Sequence, residues 1–537
     1  MTAPSSDASR RLVNLGILIF TLLGLGARAV LSWHKPFLGD EVGTWIYIAK
    51  DVRFLLTHFI DPWLSMPAFI AGVRVWSQLF GEEAFVLRLP VVLAGTLAIP
   101  YLAAIVRRLG GSGLAVVAAT ALMALNPSAL EQGANLRSYA FVLLFITMSI
   151  HSILAWLEQP GWRNGGCFAL SAGLALVSHF CSLYYLMGLG GFFLWAMLQK
   201  YPLTPLLAWV SRLRSLWLPL AVVAPFVVLH YLGFMDGMIA YRKVWTDQPP
   251  GPVNYLPHLV ATFLAPGWRA IPLLALLFAG WLFAVRQHTT RAALIGLGIA
   301  LPMLLHAASG AQAYPWATTR LHLPMLPLLL IQLALALDGP IRRRGLAVSA
   351  LVAVLLIWMP YLRGELRHHQ AEPWPAVQAF LAEAIGPQDH IWAAGHDRLH
   401  LQPGFPRDFD RLVSGATYAR VCAEATASTQ KLYVITVGYK LDQADEVTVL
   451  GNIRVNAFRA RPPEVQARRV IHSLQHIWGG RADPQHTSWM RECADLMTIL
   501  PWDMDERRAT ERLYYHSFLR SERGQFMHPR LREISFP

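Results

Sequence analysis

Long apolar runs separated by short polar connections fill the first two thirds of the chain. The first run, from about Leu12 to Trp33, is long enough to cross a bilayer and follows Arg10 and Arg11. A secretory signal would have a shorter apolar core and a small-residue cleavage site, so an uncleaved anchor is predicted. The same pattern predicts ten further spans, near residues 84–106, 112–127, 137–157, 166–180, 182–198, 216–234, 268–286, 292–308, 322–338 and 346–362.

The connection after the first span, about residues 34–83, is long and contains two amphipathic stretches. Residues 42–59 have Val42, Trp45, Ile46, Ala49 and Val52 at helical spacing. Residues 63–80 contain a proline and an arginine, and a span there would move every later connection to the other side. Both stretches are therefore predicted to be helices lying along the membrane interface.

The pattern changes after about residue 363, where charged residues become frequent and no run can span. Residues 374–386 read as an amphipathic helix, and "HIWAAG" and "LYVITVGY" read as strands. The predicted fold is mainly α: a polytopic helical membrane protein of about eleven spans with a small C-terminal α/β domain. The predicted domains are residues 1–362 and 363–537.

Composition supports a membrane protein. Of the 537 residues, 55% are hydrophobic and 15% are charged, whereas a soluble domain carries about 25% charged residues. The net charge of +13 does not indicate nucleic acid, because the basic residues gather in short connections on one side of the predicted spans. This bias predicts a cytoplasmic N-terminus and an extracytoplasmic C-terminal domain. The basic connections hold Arg107, Arg108, Arg163, Lys200, Arg212, Arg214, Arg286, Arg291 and Arg342 to Arg344.

Cysteine and histidine give weaker signals. Cys422 and Cys493 lie in the predicted external domain, where they form either a disulfide or two free thiols. His396 and His400 have a metal-binding spacing but no evident third ligand. The chain has no glycine-rich nucleotide-binding loop in a strand–helix setting.

The predicted topology collects acids and bases on the external side of the spans. Ionisable groups at membrane depth are costly and normally face a cavity or a partner, so these residues predict a cleft. Asp40 and Glu41 open the first external connection and are alternatively a helix cap and first-turn charge. Arginines at span ends are alternatively interfacial. The other candidates are Arg88, Glu131, Asn135, Arg137, Tyr139, His179, Arg320, and Arg242 with Lys243 in the connection 235–257.

Several of these segments, taken in order, resemble the membrane glycosyltransferases of the GT-C fold. The branch concerned includes protein O-mannosyltransferases and the lipid A aminoarabinose transferase. The resemblance covers about residues 12–340. It rests on "LGDEVGTW", "WSQLFGEEAFVLRLPVVLAGTLAIPYLAAIVRRLGG", "ANLRSYAFVLL", "SHFCSLYYL" and "TTRLHLPMLPLLL".

The resemblance implies inverting transfer of a sugar from a polyprenyl-phosphate donor to a hydroxyl acceptor of the cell envelope. Asp40 matches the catalytic acidic position and is predicted to be the general base, with Glu41 as its partner. The predicted donor-binding residues are Arg88, Arg137, Tyr139, His179, Arg242, Lys243 and Arg320. The remaining predicted partners are membrane lipids, and no nucleic acid and no required metal are predicted. The predicted location is the bacterial cytoplasmic membrane.

Three other functions are compatible with the sequence. A polymerase or ligase for lipid-linked glycans would also work outside the membrane and use arginines. A transporter or flippase would place charges near the bilayer midplane and often shows two related halves. A structural membrane protein would leave the acidic pair Asp40 and Glu41 without a role.

Overall fold

The structure is a computed structural model, and it describes part of the chain. The described residues are 7–33, 41, 44, 45, 48, 66–201, 213–228, 231, 255–308, 322–338, 344–368, 374–385, 390–393, 431–437, 446–450 and 453–459. The backbone divides into two compact units, residues 1–35 with 44–370, and residues 36–43 with 371–537.

The described secondary structure of the first unit is helical. Two short 3₁₀ turns, Gly267–Arg269 and Leu323–Met325, precede the eleventh and thirteenth helices. In chain order the helices are α1 Asp7–Trp33, α2 Pro67–Phe80, α3 Ala84–Arg108, α4 Gly113–Leu125, α5 Pro127–Gln132, α6 Tyr139–Glu158, α7 Trp162–Ser178, α8 Ser182–Lys200, α9 Leu213–Val228, α10 Tyr255–Phe263, α11 Ala270–Gln287, α12 Thr289–Ala308, α13 Leu326–Asp338 and α14 Arg344–His368.

Each of the eleven predicted spans coincides with a helix in the described part of the chain. Five helical segments are by themselves long and apolar enough to cross a membrane: Asp7–Trp33, Ala84–Arg108, Tyr139–Glu158, Gly267–Arg286 and Arg344–Arg363. Large apolar side chains stand exposed on these helices, including Leu12 at 69% and Leu356 at 63%. Such surface is stable against lipid and not against water. The protein is therefore a multi-pass membrane protein.

The interfacial stretches of the first connection are helical where they are described. Helix α2 has 14 residues, about 21 Å of rise, which is too short for a hydrocarbon core of about 30 Å. Its buried face, with Phe69, Ile70 and Val73, packs against α3 and α7. In the other stretch Thr44, Trp45 and Ile48 are helical and buried. Val42, Ile46, Ala49 and Val52 lie outside the described residues.

The bundle core forms where these helices pack against one another. Helix α1 packs on α3 and α4, α3 packs on α6, and α6 packs on α7. Helix α8 packs on α12, and α13 joins α4 to α11. This order brings the beginning of α1, the end of α3 and the beginning of α4 to one end of the bundle.

Polar contacts identify that end, which we call the basic end. Arg107 donates to Asn14 at 2.6 Å, and Arg108 pairs with Glu158. Further contacts of the same end join Lys200 Nζ to the carbonyl of Leu157 at 3.0 Å, Arg291 Nε to the carbonyl of Leu109 at 2.6 Å, and the amide of Ser112 to Asp338 at 2.8 Å. Four basic residues of the predicted cytoplasmic connections, Arg107, Arg108, Lys200 and Arg291, thus make contacts at one end. The assignment of that end to the cytoplasm stays a prediction.

Helices α7 and α9 pack closely, and glycine-to-alanine substitutions in α7 test this contact. A Cβ placed on Gly165 would lie 1.8 Å from the carbonyl oxygen of Ser215, whereas one on Gly166 would meet no heavy atom within 4 Å. Gly165→Ala is expected to destabilise the protein by about 1–3 kcal/mol or more through overpacking. Gly166→Ala should be neutral or stabilising by up to about 1 kcal/mol, because alanine is the better helix former. Thermal melting in detergent measures both. Equal melting temperatures for the two variants would contradict the α7–α9 packing.

The second unit contains a four-stranded mixed sheet. Its strands are β1 His390–Ala393, β2 Lys431–Val437, β3 Glu446–Leu450 and β4 Ile453–Arg459, in the order β1-β2-β4-β3. Only β1 and β2 are parallel, and β3 with β4 forms a hairpin in which Leu450 is paired with Ile453. Helix α15, Trp374–Ala384, packs on the sheet, and Tyr433 OH donates to the carbonyl of Ala384 at 2.9 Å.

This sheet confirms the predicted C-terminal α/β fold. The predicted helix 374–386 and both predicted strands are present, and the hairpin of β3 and β4 is additional. The predicted boundary between residues 362 and 363 falls within α14, which continues to His368. The domain division at that point stays a prediction. Cys422, Cys493, His396 and His400 lie outside the described residues.

Candidate functional site

The end of the bundle opposite the basic end is organised by residues 126–138, which connect α4 to α6. We call them the 126–138 segment. Asn126 starts α5: its side-chain oxygen accepts from the amide of Ala129 at 3.0 Å, and its amide group donates to the carbonyl of Phe263 at 3.2 Å. Ser128 donates to the carbonyl of Thr262 at 2.7 Å. These bonds attach the segment to α10.

Arg137 stands at the end of this segment and is half-buried. Its amide donates to the carbonyl of Asn135 at 2.7 Å, which holds the backbone in a tight turn. Its guanidinium Nη1 donates to Thr44 Oγ1 at 3.1 Å, and the guanidinium carbon lies 5.9 Å from the centre of the Tyr139 ring. The cation is thus joined to the first connection and is still partly open to solvent.

Tyr139 and His179 form an aromatic wall beside Arg137. Their ring centres lie 5.1 Å apart, and both side chains are buried. Helix α7 ends at Ser178, and Ser182 Oγ donates to the carbonyl of Ala175 at 2.8 Å, which closes the end of that helix. This turn places His179 next to Tyr139 and stacks it on Phe180, at 4.7 Å between ring centres.

A backbone hydrogen bond orients the ring of His179. Its Nδ1 accepts from the amide of Cys181 at 3.3 Å, so the ring proton is on Nε2. The residue therefore offers a hydrogen-bond donor and an aromatic face to the site.

Of the remaining predicted site residues, the structure describes Arg88, Glu41 and Glu131. Arg88 is fully buried, and its Nη1 donates to the carbonyl of Ser32 at 3.1 Å, so its described contact is with α1. Glu41 is 2% exposed, and Glu131 is half-buried. Asp40, Arg242, Lys243 and Arg320 lie outside the described residues. Their convergence with Arg137 therefore stays a prediction.

Two buried groups were missed by sequence reasoning. Arg28 is fully buried within α1, although a lone charge in an apolar span is a recognisable signal. The hydroxyl of Tyr185 forms a hydrogen bond with Nδ1 of buried His322, and the two rings are edge to face at 6.0 Å. Tyr185 lies in the segment "SHFCSLYYL" and His322 lies in the segment "TTRLHLPMLPLLL". Each is close to a position that the resemblance indicates.

The described residues contain no group of three or more His, Cys, Asp or Glu side chains placed to hold a metal ion. Because Asp40, His396 and His400 lie outside those residues, the sequence-based expectation about metals stays a prediction.

Comparison with known proteins bears on the bundle and on this site. The sequence profile of the family described as dolichyl-phosphate-mannose-protein mannosyltransferase matches residues 66–228. That range includes Arg88, the 126–138 segment, Tyr139 and His179. Comparison with curated protein sequences gives no significant match.

Among solved structures, ArnT from Cupriavidus metallidurans bound to undecaprenyl phosphate is similar with a TM-score of 0.53 and 15% identity, over 82% of this chain and 97% of that chain. The apo structure of the same ArnT gives the same TM-score and coverage, at 13% identity. The archaeal oligosaccharyltransferase AglB from Archaeoglobus fulgidus, in complex with an inhibitory peptide and a dolichol-phosphate, has a TM-score of 0.48 and 12% identity, over 98% of this chain and 87% of that chain.

The likeness to ArnT confirms the predicted GT-C fold. The matched family profile and this fold together confirm the resemblance to mannosyltransferase-type and ArnT-type membrane glycosyltransferases.

Proposed function

We propose that the protein is a membrane glycosyltransferase that moves a sugar from a polyprenyl-phosphate donor to a hydroxyl acceptor. The observation that carries the proposal is Arg137: a half-buried cation at one end of a GT-C bundle, bonded to Thr44 and flanked by Tyr139. A fixed guanidinium in a water-poor site stabilises a phosphate that gains charge as its bond to sugar breaks. The family profile that matches this region names a dolichyl-phosphate sugar donor, and ArnT is a protein with undecaprenyl phosphate bound.

The proposed reaction is a single displacement. The acceptor oxygen attacks the anomeric carbon on the face opposite the phosphate, its proton passes to Asp40, and the bonding pair leaves with the phosphate oxygen. The configuration at the anomeric carbon is therefore inverted. General-base assistance by Asp40 contributes about 10²–10⁴ in rate, with Glu41 as its partner.

The proposed donor site uses Arg137 and Arg320 on the phosphate and the Tyr139–His179 wall against the sugar or the carrier head. Aromatic faces suit the apolar side of a sugar ring, and the Nε2 proton of His179 suits a hydroxyl or phosphate oxygen. Arg242 and Lys243 are proposed to close over the phosphate. Arg88, being fully buried, is assigned to the support of this site.

The proposed location is a bacterial cytoplasmic membrane, with the 126–138 segment and the C-terminal unit on the extracytoplasmic side. The basic residues gathered at the opposite end of the bundle support this orientation. The test replaces the four native cysteines by serine, introduces a single cysteine at exposed Arg163 or at Glu131, and labels intact cells with a membrane-impermeant maleimide. The cysteine at position 131 is expected to be labelled, and the cysteine at position 163 is not.

Activity is tested with the purified protein in proteoliposomes. Synthetic undecaprenyl-phosphate-linked mannose and aminoarabinose are supplied as donors, and released undecaprenyl phosphate is measured by mass spectrometry with an envelope lipid extract as acceptor. Acceptor-dependent release supports the proposal. Movement of intact donor across the bilayer without release would instead indicate a flippase, and products with several added repeat units would indicate a polymerase or ligase.

A further inference from the structure

Arg28 is a charged residue in the interior of the bundle, where an unpaired charge is costly. It lies on α1, is fully buried, and donates from Nη1 to the carbonyl of Gly24 at 3.0 Å. Its Nη2 donates to two carbonyls of the other helices, those of Met123 and Ala129, both at 3.3 Å. One guanidinium therefore joins α1 to the end of α4 and to α5.

The carbonyl of Met123 needs such a donor. In a continuing helix it would accept from the amide four residues on, but position 127 is proline, which has no amide hydrogen. Arg28 supplies this bond at the point where the chain turns from α4 into α5. The donor is thus Arg28 of α1, and the acceptor is the carbonyl of Met123 in α4, which lacks its helical hydrogen-bond donor.

Three glycines leave the space that the Arg28 side chain fills. A Cβ would lie 2.5 Å from Arg28 Nε at Gly133, 2.9 Å from the same atom at Gly95, and 3.0 Å from Nη1 at Gly24. The three glycines belong to the 126–138 segment, α3 and α1. Any larger side chain at these positions would displace the guanidinium.

A second contact on the same face of α1 reinforces the first. Ser32, one turn after Arg28, donates to the carbonyl of Ala134 at 3.3 Å and accepts from Arg88 at its own carbonyl. Leu31 adds an apolar contact with Leu130 and Ala134. The face of α1 that carries Arg28 therefore holds the 126–138 segment from its first turn to Ala134, three residues before Arg137.

We infer that Arg28 is a positioning residue that sets the place of the Arg137 guanidinium by fixing the 126–138 segment against α1. This inference rests on the proposed function, since Arg137 is the proposed phosphate-binding cation. Arg28 is enclosed by protein and touches no substrate. Its effect on the reaction passes through the segment, and a displacement of about 1 Å at a reacting group is enough to cost about 10²-fold in rate.

The first test measures the segment directly. Arg28→Met removes the donors at similar side-chain length, and Arg11→Met, at an exposed position of the same helix, is the matched control. Hydrogen exchange of the full-length protein in nanodiscs is expected to be at least about tenfold faster in residues 126–138 of Arg28→Met, and unchanged in Arg11→Met. Unchanged exchange in Arg28→Met would overturn the inference.

The second test uses activity and is a double-mutant cycle. Arg28→Met is expected to lower kcat/KM for the donor by about 10–100-fold, and Arg28→Lys by less. If Arg28 acts through Arg137, the variant carrying both Arg28→Met and Arg137→Ala is no worse than Arg137→Ala alone, within about twofold. Multiplication of the two losses would overturn the inference, because Arg28 would then act by another route.

A second variant serves if Arg28→Met does not fold. Gly95→Ala adds a methyl group against Arg28 Nε within α3 and removes no hydrogen bond, while Gly72→Ala, which meets nothing within 4 Å, is its control. Gly95→Ala should reproduce the faster exchange, and an exchange pattern like that of Gly72→Ala would overturn the inference. If the wild type has no transferase activity but the variants show this faster exchange, the proposed function is wrong. The role of Arg28 in holding the 126–138 segment is then still supported.

Discussion

Asp40→Asn is expected to lower kcat for sugar transfer by about 10²–10⁴-fold while the affinity for the donor stays within about twofold. The asparagine has the same shape but cannot take the proton of the acceptor hydroxyl. Donor affinity is largely preserved because the predicted phosphate contacts are made by arginines. Release of undecaprenyl phosphate at saturating donor measures kcat, and equilibrium binding of a labelled donor to the detergent-solubilised protein measures affinity.

Asp51→Asn is the matched control, since Asp51 lies in the same predicted external connection, residues 34–83, and is given no role in the reaction. It should retain the wild-type kcat. Full activity in Asp40→Asn would show that Asp40 is not the base. Equal losses in both variants would point to the charge of the whole connection and would contradict a specific proton transfer at Asp40.

Arg137→Ala is expected to lower kcat/KM for the donor by about 10²–10³-fold, with most of the loss in kcat. The guanidinium is held by Thr44 and lies beside the Tyr139 ring, so it is oriented before the phosphate gains charge. Arg137→Lys keeps the charge but not the fork of donors, and should recover only part of the activity. Initial rates at varied donor concentration separate kcat from KM.

Two further variants make the Arg137 prediction specific. Thr44→Val removes one hydrogen bond to Nη1, and should cost about 3–10-fold through looser orientation of the cation. Arg163→Ala, at an exposed position of α7, removes a cation outside the site and should leave kcat and KM for the donor unchanged. A change in donor KM with an unaltered kcat in Arg137→Ala would mean that the residue binds donor and transition state equally, against the proposed role.

The pattern of apolar residues predicted most of the fold because each predicted span is a local property of the chain. In lipid, a run such as residues 84–106 must satisfy its backbone polar groups internally, and a helix does so with hydrogen bonds between residues of the same run. The same locality explains why α15 and strands β1 and β2 were predicted. The hairpin of β3 and β4 was missed, although residues 453–459 alternate apolar and polar side chains as a strand with one buried face does.

The candidate site was predictable only in part. Arg137, Tyr139 and His179 were found because the resemblance marks their segments, and the structure brings the three side chains together. Arg88 was assigned to the donor because it stands at a span end, and only the packed bundle shows that it is fully buried against Ser32. The contact between the Tyr139 and His179 rings likewise depends on how α6 and α7 pack, which no local pattern reports.

Sequence by itself therefore determined the helical membrane architecture, the separate C-terminal domain and the residue types available for the reaction, because these follow from interactions between neighbours in the chain. Tertiary structure alone decided which cations are enclosed and which face the site. Arg28 meets Met123 and Ala129, about a hundred residues away in sequence, and its burial is tolerable only where the carbonyls of other helices arrive at its guanidinium. That arrangement exists only after the bundle has packed.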